Sequence, residues 1–219
     1  GIIEELRMGA DGWPVLHNAT IANRPKAELN FEDDFSKDKS LELLWQWPSK
    51  SERPAYTFNK GLNLKASNAN HDLGTFLGQY IKTTDFSLET QIELNQSQAG
   101  ICLGGAIFKS SWPGELGAIG ISASEEGLYV FNNLEKSYKI IKQSLTPLKG
   151  KIKLKMELRN KLSLIDFSYQ EEGKDWIKFH TTAFDASKYA PWGMGYRAGI
   201  LAKGDSGTGN FKYFKMVNF

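Results

Sequence analysis

Between residues 151 and 158 the sequence alternates strictly. Ile152, Leu154, Met156 and Leu158 fall between Lys151, Lys153, Lys155 and Glu157. Successive side chains of an extended chain point to opposite faces, so this stretch is a strand with one buried and one charged face. Arg159, Asn160 and Lys161 make a turn, Asn tolerating the positive φ that tight hairpins need. A second run over 162–170 ends in the turn cluster Glu171, Glu172, Gly173 and Lys174, and a third run covers 176–182. Three antiparallel strands with one apolar face need a second layer to cover it. The lysine-rich face reads as a solvated surface or a docking edge.

The rest of the chain repeats this theme in shorter pieces. Strands are expected at 31–35, 56–58, 62–64, 77–82, 86–94, 116–123, 128–131, 139–143, 194–201 and 210–217. Turn clusters such as Asn59-Lys60-Gly61, Glu125-Glu126-Gly127 and Gly204-Asp205-Ser206-Gly207 separate them. Residues 99–108 are almost wholly apolar, which indicates a central strand buried on both faces, with Gly104 and Gly105 marking a bulge or a close backbone approach. A single helical turn is expected within 185–191 and no longer helix anywhere. Many short strands with regular turn signals indicate a sandwich or a barrel.

Composition narrows the function classes. The 219 residues suit one all-β domain, and 41% hydrophobic residues are enough for a core. The 27 basic and 25 acidic residues leave a net charge of +2, which makes no electrostatic case for nucleic acid. No apolar run approaches the roughly 18–20 residues of a membrane span. Cys102 is the one cysteine, so no internal disulfide forms, and its apolar surroundings make it a buried small hydrophobe.

Candidate chemistry is sparse. A retaining glycosidase needs two carboxyls about 5–5.5 Å apart. Glu89 and Glu93 share a strand face but are separated by about 13 Å of strand rise. The neighbours Asp33 and Asp34 point to opposite faces of a strand, while Glu125 with Glu126 and Glu171 with Glu172 sit in solvated turns. His17, His71 and His180 lack metal-ligand spacing. A structural calcium ion is compatible with loop oxygens, Asp34 and Asp205 being the pair that would meet if the terminal strands pair. The aromatic residues say more, because flat rings beside polar groups suit the C–H faces of sugars. Trp47, Trp112, Trp192 and Tyr196 lie in or beside loops. Trp45 and Trp176 lie inside strand patterns and are expected in the core.

Several stretches together resemble one family, glycoside hydrolase family 43 (GH43), whose members act as β-xylosidases, arabinofuranosidases and related enzymes. Asp33-Asp34-Phe35, Leu44-Trp45-Gln46-Trp47 and Glu52-Arg53-Pro54 are similar to the opening of its C-terminal β-sandwich. Phe76-Leu77-Gly78-Gln79 and Phe86-Ser87-Leu88-Glu89-Thr90 resemble its next pair of strands. Phe167-Ser168-Tyr169 with Gly173 and Trp176 resembles its hairpin, with Gln170 and Glu172 in place of the usual Ser and Asp. Tyr196-Arg197-Ala198-Gly199-Ile200 and Phe211-Lys212-Tyr213-Phe214 resemble its closing strands, and Asp11-Gly12-Trp13-Pro14 the tail of its five-bladed propeller.

The resemblance implies a two-sheet antiparallel jelly-roll β-sandwich, concanavalin A-like, over 27–219. Residues 1–26 would be the end of an upstream catalytic domain and its linker. The family's catalytic acids lie on the propeller, so no catalytic residue is assigned here. The implied role is a non-catalytic accessory domain that packs on the propeller and shapes its pocket for a plant cell-wall oligosaccharide or polysaccharide of xylan or arabinan type. The family setting favours a periplasmic or extracellular location. The expected carbohydrate-binding or domain-interface residues are Trp192, Tyr196 and Arg197, in the loop before the penultimate strand, with Trp112 and Trp47. Two other readings stay open: an independent carbohydrate-binding module, and a stand-alone sandwich-fold glycosidase whose carboxylates meet across strands.

Overall fold

The computed structural model describes residues 5–17, 29–37, 40–47, 52–69, 72–104, 117–134, 137–189 and 197–219. The strands are β1 (Glu5–Met8), β2 (Pro14–His17), β3 (Phe31–Asp33), β4 (Tyr56–Phe58), β5 (Leu62–Lys65), β6 (Thr75–Tyr80), β7 (Phe86–Glu93), β8 (Gln98–Gly104) and β9 (Ala118–Ser124). They continue with β10 (Gly127–Leu134), β11 (Ser137–Ser144), β12 (Lys151–Arg159), β13 (Leu164–Glu171), β14 (Ile177–Lys178), β15 (Phe184–Asp185), β16 (Arg197–Lys203) and β17 (Thr208–Asn218). One 3-10 turn, Ser187–Tyr189, falls where a helical turn was expected.

Two sheets carry the fold. The smaller runs in the order β11, β10, β9, β8, β16, β6. The larger runs β14, β13, β12, β7, β17, β5, β4, with β15 beside β13 and β3 beside β17. The named strands pair antiparallel throughout, as in the expected all-β sandwich. β1 and β2 form a hairpin of their own around the turn at 9–13.

β12 behaves as its alternation requires. Ile152, Leu154, Met156 and Leu158 are buried and Lys151, Lys153, Lys155 and Glu157 face outward. β7 beside it repeats the pattern, with Leu88 and Ile92 inward. Asn160 takes a positive φ of 55° in the expected turn. The third strand of the meander is much shorter than its pattern suggested: only Ile177 and Lys178 pair, with Tyr169 and Ser168. Beyond them the chain turns inward, and His180 becomes buried.

The longest strand, β17, sits in the middle of the large sheet. It pairs with β7 on one side and with β5 and β3 on the other. A register shift between Phe211 and Tyr213 inserts Lys212, which ion-pairs with Glu93 at 2.8 Å. Phe211, Phe214 and Met216 stay in the core on either side of this bulge.

The main core lies between the sheets and includes Leu64, Leu88, Ile101, Ile121, Leu154, Phe167, Ile200 and Phe214. Trp45 joins it as expected, edge-on to Phe214 at 4.9 Å and donating its indole N–H to the buried Asp33 carboxylate at 2.6 Å. A second, smaller cluster of Leu73, Phe76, Cys102, Ala118, Phe131 and Leu201 lies on the opposite, outer face of the small sheet. Accordingly β8 beyond Gln98 and the whole of β9 are buried on both faces, with only small or apolar side chains and the buried hydroxyls of Ser122 and Ser124 along β9. The backbones crowd there at Gly100, where a Cβ would meet the Ile121 carbonyl at 2.2 Å, and at Gly199, where it would meet that of Leu77 at 2.0 Å. Gly104, where a bulge or close approach was expected, pairs with Arg197 and with Ala118, and Gly105 lies outside the described residues.

Candidate functional site: one end of the small sheet

Register brings chosen side chains to one end of the small sheet. Tyr80 is opposite Arg197, Arg197 opposite Gly104, and Gly104 opposite Ala118. The free edge of β6 is partly covered by the segment 40–47. Gln46 and Gly78 exchange both backbone hydrogen bonds, at 2.9 and 2.8 Å. This bridge fixes the two tryptophans around it. Trp45 goes into the core, while Trp47 keeps 37% of its surface exposed. The Gln46 side chain accepts a hydrogen bond from Arg197 Nε. The Arg197 guanidinium lies over Tyr80, 5.0 Å from the ring centroid, and Arg53 lies over Trp47 at 5.9 Å. Two guanidinium groups over two partly exposed rings bring donors and aromatic surface together, the chemistry that suits a polyhydroxylated ligand.

Farther along the same face the sheet is closed. Tyr138 stacks on Phe131 at 5.3 Å, and Lys203 reaches over Tyr138 with its ammonium 4.4 Å from the ring while donating to the Asp72 carbonyl at 2.7 Å. Burial pushes the Tyr138 phenol and the Cys102 thiol up and the Lys203 ammonium down from their ordinary values. Cys102 is fully buried and held as the unreactive thiol. The described strand residues of this outer face include no Asp or Glu, and the nearby carboxylates come from turns and loops: Asp72 and Asp205 near Lys203, and Glu126, which accepts from the Tyr129 hydroxyl.

Among the sequence-derived candidates, Trp47 and Arg197 come together at this end. Trp112, Trp192 and Tyr196 lie outside the described residues. The residues flanking them, Gly104, Gly117 and Arg197, belong to the same end of the sheet. Trp176, expected in the core, is instead half-buried on the outer face of the large sheet, with the Lys155 ammonium 4.7 Å from its ring. A strand of only two residues, starting just after it, leaves nothing to carry the indole inward.

Several carboxylates among the described residues are bound up in structural contacts. Glu89 accepts from the Tyr213 hydroxyl, and the hydrogen bond from Lys212 holds Glu93 below the usual carboxylate range. Asp166 pairs with Lys178 at 2.9 Å. Asp34 and Asp205 do not meet. Asp33 is opposite Phe214, so Asp34 lies near Tyr213, roughly 17 Å of strand from Thr208 and the loop of Asp205. Asp34 instead binds Ser36 and Lys37, and Asp205 accepts from Asn68. Among the described residues no group of three His, Cys, Asp or Glu is arranged to hold a metal ion. His17 and His180 are not near-neighbours in sequence, and His71 lies outside the described residues.

The buried His180 had no sequence signal beyond its strand pattern. Its Nε2 accepts the Phe167 N–H at 2.8 Å and its Nδ1 is 2.7 Å from the Thr182 carbonyl. These partners require the neutral ring, with Nδ1 donating. Burial lowers its pKa accordingly.

Known proteins place this architecture. The family profile described as the beta xylosidase C-terminal concanavalin A-like domain matches residues 32–219. No curated protein sequence matches the chain. A GH43 protein from Bacillus licheniformis superposes with a TM-score of 0.69 at 20% identity, covering 99% of this chain and 46% of that one. The xyloglucan PUL GH43B protein of Bacteroides ovatus gives 0.71 at 16%, covering 98% and 46%. The xylan beta-1,4-xylosidase of Bacillus halodurans C-125 gives 0.68 at 14%, covering 97% and 46%. At these identities the likeness speaks for the fold, and the chain spans about half the length of each of these proteins.

Proposed function

Because the chain belongs, over residues 32–219, to the family of β-xylosidase C-terminal concanavalin A-like domains, we propose that it is the non-catalytic accessory sandwich of a glycoside hydrolase acting on xylan- or arabinan-type polysaccharides. It packs on a catalytic propeller and helps to shape that domain's sugar pocket. The family match carries this reading. The end of the small sheet is the part that faces the pocket, with Arg197 as hydrogen-bond donor and Trp47, Trp112, Trp192 and Tyr196 as rings. What supports this assignment is that Arg197 lies over Tyr80 and Arg53 over Trp47, which gathers guanidinium groups and partly exposed rings at one place.

The test compares this chain alone with the same chain joined to its catalytic propeller, on aryl xylosides and arabinosides. Hydrolysis is expected only in the joined protein. Enzyme-like turnover by the isolated chain would overturn the reading. In the joined protein, Arg197→Ala should raise KM for oligosaccharides while leaving kcat on small aryl glycosides nearly unchanged.

An independent carbohydrate-binding module is the second reading, favoured by the exposure of Tyr80 and Trp47. Calorimetric titration of the isolated chain with xylan and arabinoxylan oligosaccharides decides it. Heat at millimolar ligand that is lost in Trp47→Ala supports it, and the absence of heat removes it.

A further inference from the structure

The outer face of the large sheet carries a second constellation, remote from the end of the small sheet. Cross-strand register sets Gln170 on β13 opposite Lys153 on β12, Lys153 opposite Gln91 on β7, and Gln91 opposite Tyr213 on β17. Four adjacent strands thus present one transverse row, about 14 Å long at the usual spacing between strands. An aromatic ring stands at each end. Tyr213 donates its hydroxyl to Glu89, two residues from Gln91 on the neighbouring strand, which lays its ring along the sheet. At the other end Trp176 leans back across β13 to reach Lys155, so its indole is on this face as well.

The middle of the row is half-buried and polar. Gln170 uses its amide nitrogen on the Lys174 carbonyl, which leaves its oxygen to accept. Most cations on this face have anionic neighbours: Lys151 is opposite Glu93, Lys155 opposite Glu89, and Lys178 binds Asp166. Lys153 differs, having an amide on each side instead of a carboxylate.

We infer that this row is a glycan-binding surface for a chain bearing uronic acid groups. The two rings offer platforms for the C–H faces of sugars. The amides of Gln91 and Gln170 match hydroxyl groups, and the Lys153 ammonium matches a single carboxylate. A protein partner fits less well, since stable protein interfaces are depleted of charge at their centre and this row has an ammonium there. The inference is independent of the role proposed for the small-sheet end, and the two fail separately.

Affinity electrophoresis of this chain through gels containing glucuronoxylan, neutral arabinoxylan or polyglutamate tests it. Retardation should be strongest in glucuronoxylan, weaker in arabinoxylan and absent in polyglutamate. Lys153→Gln should reduce glucuronoxylan binding to the arabinoxylan level. Trp176→Ala should weaken binding to both by about tenfold, the loss of one ring contact. Trp176→Phe, which keeps a ring, should retain most of the binding and guards against a folding defect. Lys139→Gln, which removes an exposed lysine from β11 of the other sheet, should leave retardation unchanged. No retardation in either xylan, equal retardation in polyglutamate, or a loss caused by Lys139→Gln but not by Trp176→Ala would each overturn the inference.

Discussion

The sandwich has two outer faces, and they are built on opposite principles. On the small sheet Cys102, Phe131, Leu201 and Phe76 form a sealed patch beneath Tyr138 and Lys203. On the large sheet the outward residues Lys153, Gln91, Gln170 and Glu89 are polar and half-buried, with Tyr213 and Trp176 among them. The same inner core serves both. What differs is whether a residue beyond the sheet covers it. A strand covered on both sides becomes apolar throughout, whereas a strand covered on one side alternates. Stability on the small sheet therefore depends on its outer side chains, while those of the large sheet are left for solvent or ligand.

The largest expected effect tests the sealed face. Phe131→Ala removes a fully buried ring and should cost about 3–5 kcal/mol by urea unfolding. If it costs no more than a surface substitution, the outer cluster is not a core. Next comes Gly199→Ala. Its Cβ would fall 2.0 Å from the Leu77 carbonyl and 2.5 Å from the Gly78 Cα, so the strands must shift, at about 1–3 kcal/mol or more in the same assay.

A smaller effect depends on pH. His180 is neutral when folded and its pKa is lowered from the ordinary 6.5, chiefly by burial. Between the folded and unfolded values the unfolded chain binds more protons. Its contribution to stability is therefore complete above about pH 6.5, falls as pH drops below that value, and levels off once the folded ring protonates. The slope contributed by this one group is at most about 1.4 kcal/mol per pH unit. Melting curves from pH 7.5 to 5 should show this fall, and His180→Gln should flatten it. The smallest effect belongs to the open face. Lys153→Ala should change stability by no more than about 0.5 kcal/mol. A loss comparable to that of Phe131→Ala would erase the contrast between the faces.

These two faces also separate what the sequence reveals from what it conceals. The alternation in 151–158 reported one covered face, and the unbroken apolar run from Ala99 reported two, so both kinds of strand were legible. The members of the outer cluster come from separate parts of the chain, residues 73 to 201, and only strand order brings them together. Trp176 departs from its pattern because aromatic residues in a strand-like run are usually buried, whereas here only Ile177 and Lys178 pair. Trp45 and Trp47 look equivalent in sequence, and the backbone bridge at Gln46 sends one inward and leaves the other exposed. Within the site, Arg197 was legible as a polar residue beside an aromatic loop. Its bond to Gln46, 151 residues away, and its place over the Tyr80 ring were not.

The position of β17 has a consequence for synthesis on the ribosome. Residues 208–218 occupy the middle of the large sheet, between strands that begin at residues 31, 62 and 86. A nascent chain lacking them has the outer strands of that sheet but no seam to join them. Its inner faces stay uncovered, and folding must wait for partners more than a hundred residues apart. Such topologies close slowly. The protein is thus most vulnerable to misassociation just before translation of residues 208–218 is complete, and a chain stopped short of β17 should be degraded rather than accumulate as a smaller folded unit.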